Sequence, residues 1–190
     1  MMGLVTPTSE SLQSLQDAFG ARVIFGVSLA KYTSARVGGP AEAIVMVDSA
    51  TELAKVVSLL WSLPLPFAII GGGSNLLVSD AGYPGVVVLN HARQVHFNIK
   101  HEPPNVWAAS GANLGLVARQ AAARSLTGLE WAAGIPGTIG GAVVGNAGAH
   151  GRDTAGGLLM AEILHRMDST SDTQNGINNP VIVQEQWPVE

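Results

Sequence analysis

The chain contains no cysteine, so disulfides, thiolate metal sites and thiol nucleophiles are excluded, and redox chemistry has to come from a bound cofactor. Charge is scarce too. With 13% charged residues and a net charge of −4, no general positive field draws in polyanions, which argues against nucleic acid as a partner. A phosphate bound here has to be held by local backbone donors or a few placed cations. Long apolar runs are also missing: the most apolar stretch, Val56 to Ile70, is interrupted by Ser58, Ser62, Pro64 and Pro66, which argues against a membrane span. Met1 to Gln16 lacks a basic segment followed by an apolar one, so a secretory signal is not supported and the expected location is cytoplasmic. Against these absences stand 47% hydrophobic residues, a balance that implies a packed core. The length allows one large domain or two small ones.

Local patterns place the elements. Leu12, Leu15 and Phe19 share a helical face behind caps at Thr8 or Ser9, with Gly20 as the stop. Ala43 to Val47 reads as a buried strand. Ser49 with Glu52 forms a capping-box pattern before Leu53, Val56, Val57 and Leu60 at helical spacing. Phe67 to Ile70 is a second apolar strand, and the intervening helix is long enough for a parallel crossover. Leu76 to Val78 and Val86 to Leu89 read as further strands around a turn at Asp80, Gly82, Pro84 and Gly85. Val95, Phe97 and Ile99 alternate with polar residues, Val106 to Ala109 continues the pattern, and the expectation is one sheet of mixed direction. Asn113 caps a helix through Leu114, Val117, Ala118 and Ala121. Leu158 to Leu164 reads as a strand, Asp168 to Asn179 as a surface loop, and Val181 to Val183 as a returning strand. Nothing in Gln184 to Glu190 looks like a closing element, so a truncated chain is expected.

The 23 glycines cluster. Gly71, Gly72, Gly73, Ser74 and Asn75 directly follow an apolar strand. Backbone without Cβ lets several N–H groups converge on a phosphate, and Ser74 and Asn75 add side-chain donors. The alternative is a tight turn, for which three glycines are more than needed. A P-loop is excluded because Asn75 and Leu76 stand where Lys and Ser or Thr are required. A dinucleotide fingerprint is excluded because Leu76 occupies the third small position and no helix is expected after it. The second cluster runs Gly134, Ile135, Pro136, Gly137, Thr138, Ile139, Gly140, Gly141, then Gly145, Asn146, Ala147, Gly148, Ala149. Small residues and a fixed φ at Pro136 leave room for a flat ligand against the backbone. Packing of a small-residue helix against a sheet explains Gly140, Gly141 and Gly145 equally well, taken singly. One dinucleotide cofactor explains both clusters together.

Three segments carry a resemblance: Thr33-Ser34-Ala35-Arg36-Val37-Gly38-Gly39-Pro40-Ala41, the Gly71 to Val78 loop with Asp80, Gly82 and Gly85, and Gly134 to Gly151. In order and spacing, over about residues 27 to 165, they resemble the signature segments of the UDP-N-acetylenolpyruvoylglucosamine reductase family. The resemblance implies an α+β FAD-binding fold of the vanillyl-alcohol-oxidase type, with subdomains over residues 1–90 and 91–190, FAD between them and a C-terminal substrate domain absent. It implies that Gly71, Gly72, Gly73, Ser74, Asn75 and Leu76 bind the pyrophosphate. Gly134, Ile135, Pro136 and Gly137 line the adenine or flavin side, and Gly141, Asn146, Gly148 and Ala149 approach the flavin. Arg36 either positions the cofactor or braces its loop. The implied reaction uses NADPH to reduce FAD, which reduces the enolpyruvyl ether of a UDP-sugar for peptidoglycan synthesis. The catalytic residues are expected downstream of Glu190, with none in this chain, and no metal is implied. Two other readings remain: another FAD-linked oxidoreductase of the same fold, and a non-catalytic nucleotide-binding module.

Overall fold

The computed structural model describes residues 8–63, 65–166 and 181–186. The first element is helix α1 (Ser9–Phe19), where the Thr8 hydroxyl accepts a hydrogen bond from Ser11 N at 3.2 Å and Gly20, at φ 56°, ends the helix. Leu15 is wholly buried, with Leu12 and Phe19 packed beside it, which is the face the sequence assigns to the core. After a 3-10 turn come strand β1 (Val23–Phe25), strand β2 (Ala41–Val47) and helix α2 (Ala50–Ser62). At the start of α2 the Ser49 hydroxyl accepts from Glu52 N at 3.2 Å, while the Glu52 carboxylate accepts from Asp48 N at 2.9 Å. The reciprocal capping bond therefore lands one residue before the cap. Arg22 pairs with Glu52 at 2.5 Å; this contact first, and the Asp48 N–H second, hold the carboxyl below its ordinary range.

Strands β3 (Phe67–Ile70) and β4 (Tyr83–Asn90) complete a four-stranded sheet in the order β1-β2-β4-β3. Strands β2, β4 and β3 run parallel and β1 is antiparallel. The crossover through α2 thus returns to the same sheet, with β4 inserted between β2 and β3. The period-2 alternation of strands then divides the core in two. Ala43, Val45, Val47, Val86 and Val88 pack with Leu15 of α1 and with Val56 and Leu60 of α2. Ile44, Val87, Leu89 and Ile70 pack on the other side with Leu29, Val78 and Tyr83. Truncating Leu60, 1% exposed, to Ala would cost about 2–5 kcal/mol, the usual range for such a cavity.

Two strand expectations need correction. Leu76 to Val78 is irregular, not a strand: it is held by a bond from Gly39 N to Ser79 O at 2.9 Å and by close packing of Val78 on Gly38, with no ladder partner. Strands β5 (Val95–Asn98) and β6 (Asn105–Ala108) form their own antiparallel hairpin and do not extend the larger sheet. The physical reason lies at the end of β4, where the Asn90 carboxamide accepts from Ala92 N at 3.1 Å and turns the chain away. Ile99 lies beyond β5 and is exposed.

Helix α3 (Leu114–Ala122) is capped by Asn113, which accepts from Leu116 N at 2.8 Å. Leu114 and Ala118 join Trp131, Ala132 and Ala142 in a third cluster, with Ala142 carried on the short helix α4 (Ile139–Val144). A small hairpin of β7 (Gly148–Ala149) and β8 (Arg152–Asp153) follows. Strand β9 (Met160–His165) starts two residues later than expected and pairs antiparallel with β10 (Val181–Gln186). The loop expected at Asp168 to Asn179 lies outside the described residues. Among the described residues, no helix is long and apolar enough to cross a membrane.

Candidate functional site

The loop leaving β3 and the loop entering α4 meet. The Ser74 hydroxyl donates to Pro136 O at 3.3 Å, and a Cβ placed on Gly72 would lie 3.5 Å from Gly137 Cα. Two clusters more than 60 residues apart in sequence therefore form one wall. The three consecutive glycines are needed for different reasons. At Gly71 a Cβ would run into the Thr138 side chain. Gly73 has φ +60° and its Cβ would strike Tyr32 O, so packing and backbone shape both demand glycine there. Gly72 alone is free of both demands, and its Cβ would project into the seam beside Gly137.

Two cavities share this wall. The first, of about 690 Å³, is lined by Ala68 to Ser79, Ile135 to Thr138, Gly141, Ala142, Gly145 and Ala147, together with Leu29, Tyr83, Val87 and Leu114. Among the described residues, no charged side chain lines it. The second, of about 670 Å³, is lined by Asn90, Arg93, Asn113, Gln120 and Ser34 among others. Gly71, Gly72, Ser74, Pro136, Gly137 and Thr138 belong to both. Burial raises the Tyr83 phenol above its ordinary value, so at neutral pH it is a hydroxyl donor and not an anion.

The loop is also chemically suited to a diphosphate. Among the described residues, the N–H groups of Gly72, Gly73, Ser74 and Asn75 donate to no protein acceptor, although Gly73 is buried. Buried backbone donors are almost always satisfied, which marks the Gly73 N–H; Gly72 and Asn75 are exposed and Ser74 half-buried, and a run of N–H groups without protein acceptors is the kind of backbone that can bind an anion. It also fits the group the sequence resemblance implies.

The structure sorts the expected site residues. Gly71, Gly72, Gly73, Ser74, Asn75, Leu76, Ile135, Pro136, Gly137 and Gly141 line a cavity. Gly134, Asn146, Gly148 and Ala149 do not. Asn146 is committed to the chain itself, donating to Asp153 at 3.0 Å and accepting from Ala155 N at 2.9 Å. A Cβ on Gly148 would press on Arg152 O at 2.8 Å, so the hairpin explains that glycine. Arg36 lines neither cavity; it occupies a turn at φ 55°, next to Ser34, whose N–H bonds Gly73 O at 3.0 Å. Thr138, like Arg93 and Asn113, is among the cavity-lining residues that the sequence reading did not assign to the site. It lines both cavities, fills the space over Gly71 and accepts from Gly141 N at 3.4 Å at the start of α4. Its signal was present, as a threonine in the N-cap position before a helix.

Comparison with known proteins gives a consistent result. Residues 40–168 match the FAD binding domain family. UDP-N-acetylenolpyruvoylglucosamine reductase of Synechococcus sp. (strain JA-3-3Ab) is 46% identical over 143 residues, 75% of this chain and 45% of that protein. The enzyme of the same name from Acaryochloris marina is 44% identical over 149 residues, 78% of this chain and 47% of that protein. A crystal structure of UDP-N-acetylenolpyruvylglucosamine reductase from Thermus caldophilus superimposes with a TM-score of 0.59 at 29% identity, covering 86% of this chain and 62% of that one. Aclacinomycin oxidoreductase, at 18% identity and a TM-score of 0.59 over 83% of this chain and 32% of that one, shares the fold. These matches bear out the α+β FAD-binding fold of the vanillyl-alcohol-oxidase type. The chain spans about half the length of the curated relatives it matches.

Proposed function

Since the chain belongs to the FAD binding domain family, we propose that it supplies the FAD-binding part of an NADPH-driven reductase that converts UDP-N-acetylglucosamine enolpyruvate to UDP-N-acetylmuramate for peptidoglycan. The observation that carries this reading is the meeting of Gly72 with Gly137, which brings two loops of small residues together where two cavities share their lining. The N–H groups of Gly72 to Asn75 hold the diphosphate, with the Ser74 hydroxyl beside them. Pro136 and Gly137 form the facing surface, and Gly141, Gly145 and Ala147 leave a low wall against which a planar ring lies. Bound FAD would supply a two-electron redox centre that the cysteine-free chain lacks.

The reductase activity is that of proteins about twice the matched length, and the part proposed for these 190 residues is to bind and orient the cofactor. The division into subdomains at residue 90, NADPH as donor, the UDP-sugar substrate and a cytoplasmic location belong to the same proposal. The test is titration of purified protein with FAD, followed by flavin fluorescence and thermal unfolding. Binding stabilises the folded state by about 2.7 kcal/mol at a hundredfold excess over Kd, so the unfolding temperature rises with FAD concentration. A midpoint that ignores FAD, with flavin fluorescence unaltered, overturns the reading.

A further inference from the structure

The polar cavity holds a cation without a partner. Among the described residues, Arg93 is the only charged side chain lining either cavity; it is exposed and makes no hydrogen bond or ion pair. Three other arginines are engaged: Arg22 pairs with Glu52, Arg119 donates to Ala133 O, and Arg124 donates to Gln120 O and stacks on Phe97; Arg36, Arg152 and Arg166 line neither cavity. The backbone that carries Arg93 is nevertheless fixed on both sides. Asn90 bonds Ser110 at 2.8 Å and Ala92 N at 3.1 Å, and Gln94 donates to Asp48 O at 3.1 Å. A rigid support with an uncommitted guanidinium is suited to recognising an anion. Gly71, Gly72 and Ser74 of the glycine wall line the same cavity, and the N–H groups of Gly72 and Ser74 have no protein acceptor among the described residues. They are neutral donors, and in a chain of net charge −4 they gain no help from a general positive field.

From this juxtaposition we propose that Arg93 makes the polar cavity a diphosphate site, with the anion laid between the guanidinium and the part of the wall formed by Gly72 and Ser74. The proposal rests on the reading of that wall as a phosphate cradle and adds the residue that supplies its counter-charge. Two ligands offer the same chemistry: the diphosphate of FAD and the diphosphate of a uridine nucleotide sugar.

The experiment titrates wild-type protein, Arg93→Gln and Arg93→Lys with inorganic pyrophosphate, FAD, riboflavin and uridine diphosphate by calorimetry. Riboflavin has the ring and no phosphate, so it reports a variant that has merely lost its shape. Loss of a charge-assisted bond is expected to weaken pyrophosphate by roughly tenfold or more in Arg93→Gln, with partial recovery in Arg93→Lys and no change for riboflavin. If FAD weakens in parallel, the diphosphate is the cofactor's. If uridine diphosphate weakens and FAD does not, it is the sugar nucleotide's. Should FAD bind no variant, including the wild type, the flavin reading fails and pyrophosphate and uridine diphosphate still decide the Arg93 site. Equal affinity of wild type and Arg93→Gln for all three phosphorylated probes overturns the proposal.

Discussion

Gly72 and Gly137 face one another across the seam of the two glycine loops: a methyl group on Gly72 would lie 3.5 Å from Gly137 Cα, at ordinary van der Waals distance, with only Gly137 C and the Thr138 methyl also within 4 Å. The position is therefore tolerant of a side chain as far as the protein is concerned and, on the proposed reading of the loop as a diphosphate cradle, intolerant of one because the ligand passes there. That separation of folding from binding makes it the most informative glycine in the chain.

The valine variant at Gly72 is expected to fold with a near-normal unfolding temperature and to lose FAD affinity by roughly 100-fold, equivalent to about 2.8 kcal/mol. Isothermal titration beside a melting curve checks both halves. Retained affinity would remove the cradle from this loop.

Gly73→Ala should do the reverse of Gly72→Val at the level of stability. Its φ of +60° and the Tyr32 carbonyl in the path of a Cβ both penalise any side chain, and a positive-φ alanine with a backbone clash costs more than about 1 kcal/mol. Urea unfolding should show a lower midpoint without added cofactor. An unchanged midpoint would mean that the loop relaxes around Tyr32.

Much of this architecture is legible where the signal is local. Thr8, Ser49 and Asn113 announce helix starts because a short side chain accepts from a backbone N–H three residues on, which sequence displays directly. The glycine run after Phe67 to Ile70 is equally plain. What escapes notice depends on distant partners. Leu76 to Val78 looks like a strand because it is apolar, yet it is held by Gly38 and Gly39, some 40 residues earlier. Arg36 attracts attention because it stands in a recognisable segment. Arg93 reaches the cavity only because Asn90 turns the chain off β4, a bend that composition does not reveal. Asn146 sits inside a glycine-rich run, but its carboxamide is used by Asp153 and Ala155.

Together with Glu52, Glu130 just before the second glycine cluster should contribute to acid sensitivity. The Thr127 hydroxyl donates to its carboxylate at 2.6 Å and Gly128 N at 2.8 Å; Thr127 first, then backbone N–H groups, hold the carboxyl below its ordinary range. A lowered folded value means the contribution to stability is complete above the unfolded carboxylate range and is lost as pH falls through the folded one. Trp131 Nε1 donates to Gly128 O at 3.1 Å, so its fluorescence reports on the same turn. Wild type is expected to lose stability below about pH 4, and Glu130→Gln to be less stable at neutral pH with a flatter acid limb. Parallel acid limbs in the two proteins would rule this out.

The contact between Gly71 and Thr138 gives a test of the seam that needs no ligand. An alanine at Gly71 would meet the Thr138 hydroxyl and methyl, so Gly71→Ala alone should be destabilising. Thr138→Ala alone should also cost stability, by about 0.5–2 kcal/mol, because the cap of α4 is lost. In the double variant the two clashing atoms are gone and only the Thr138 Cβ, at 3.1 Å from the new methyl, has to yield by a few tenths of an ångström. The double variant should therefore be more stable than the two single losses added together, with a coupling of about 0.5–3 kcal/mol, the range for residues in contact. Strict additivity in urea unfolding would mean that the loops do not touch as described, and the shared wall between the two cavities would have to be abandoned with them.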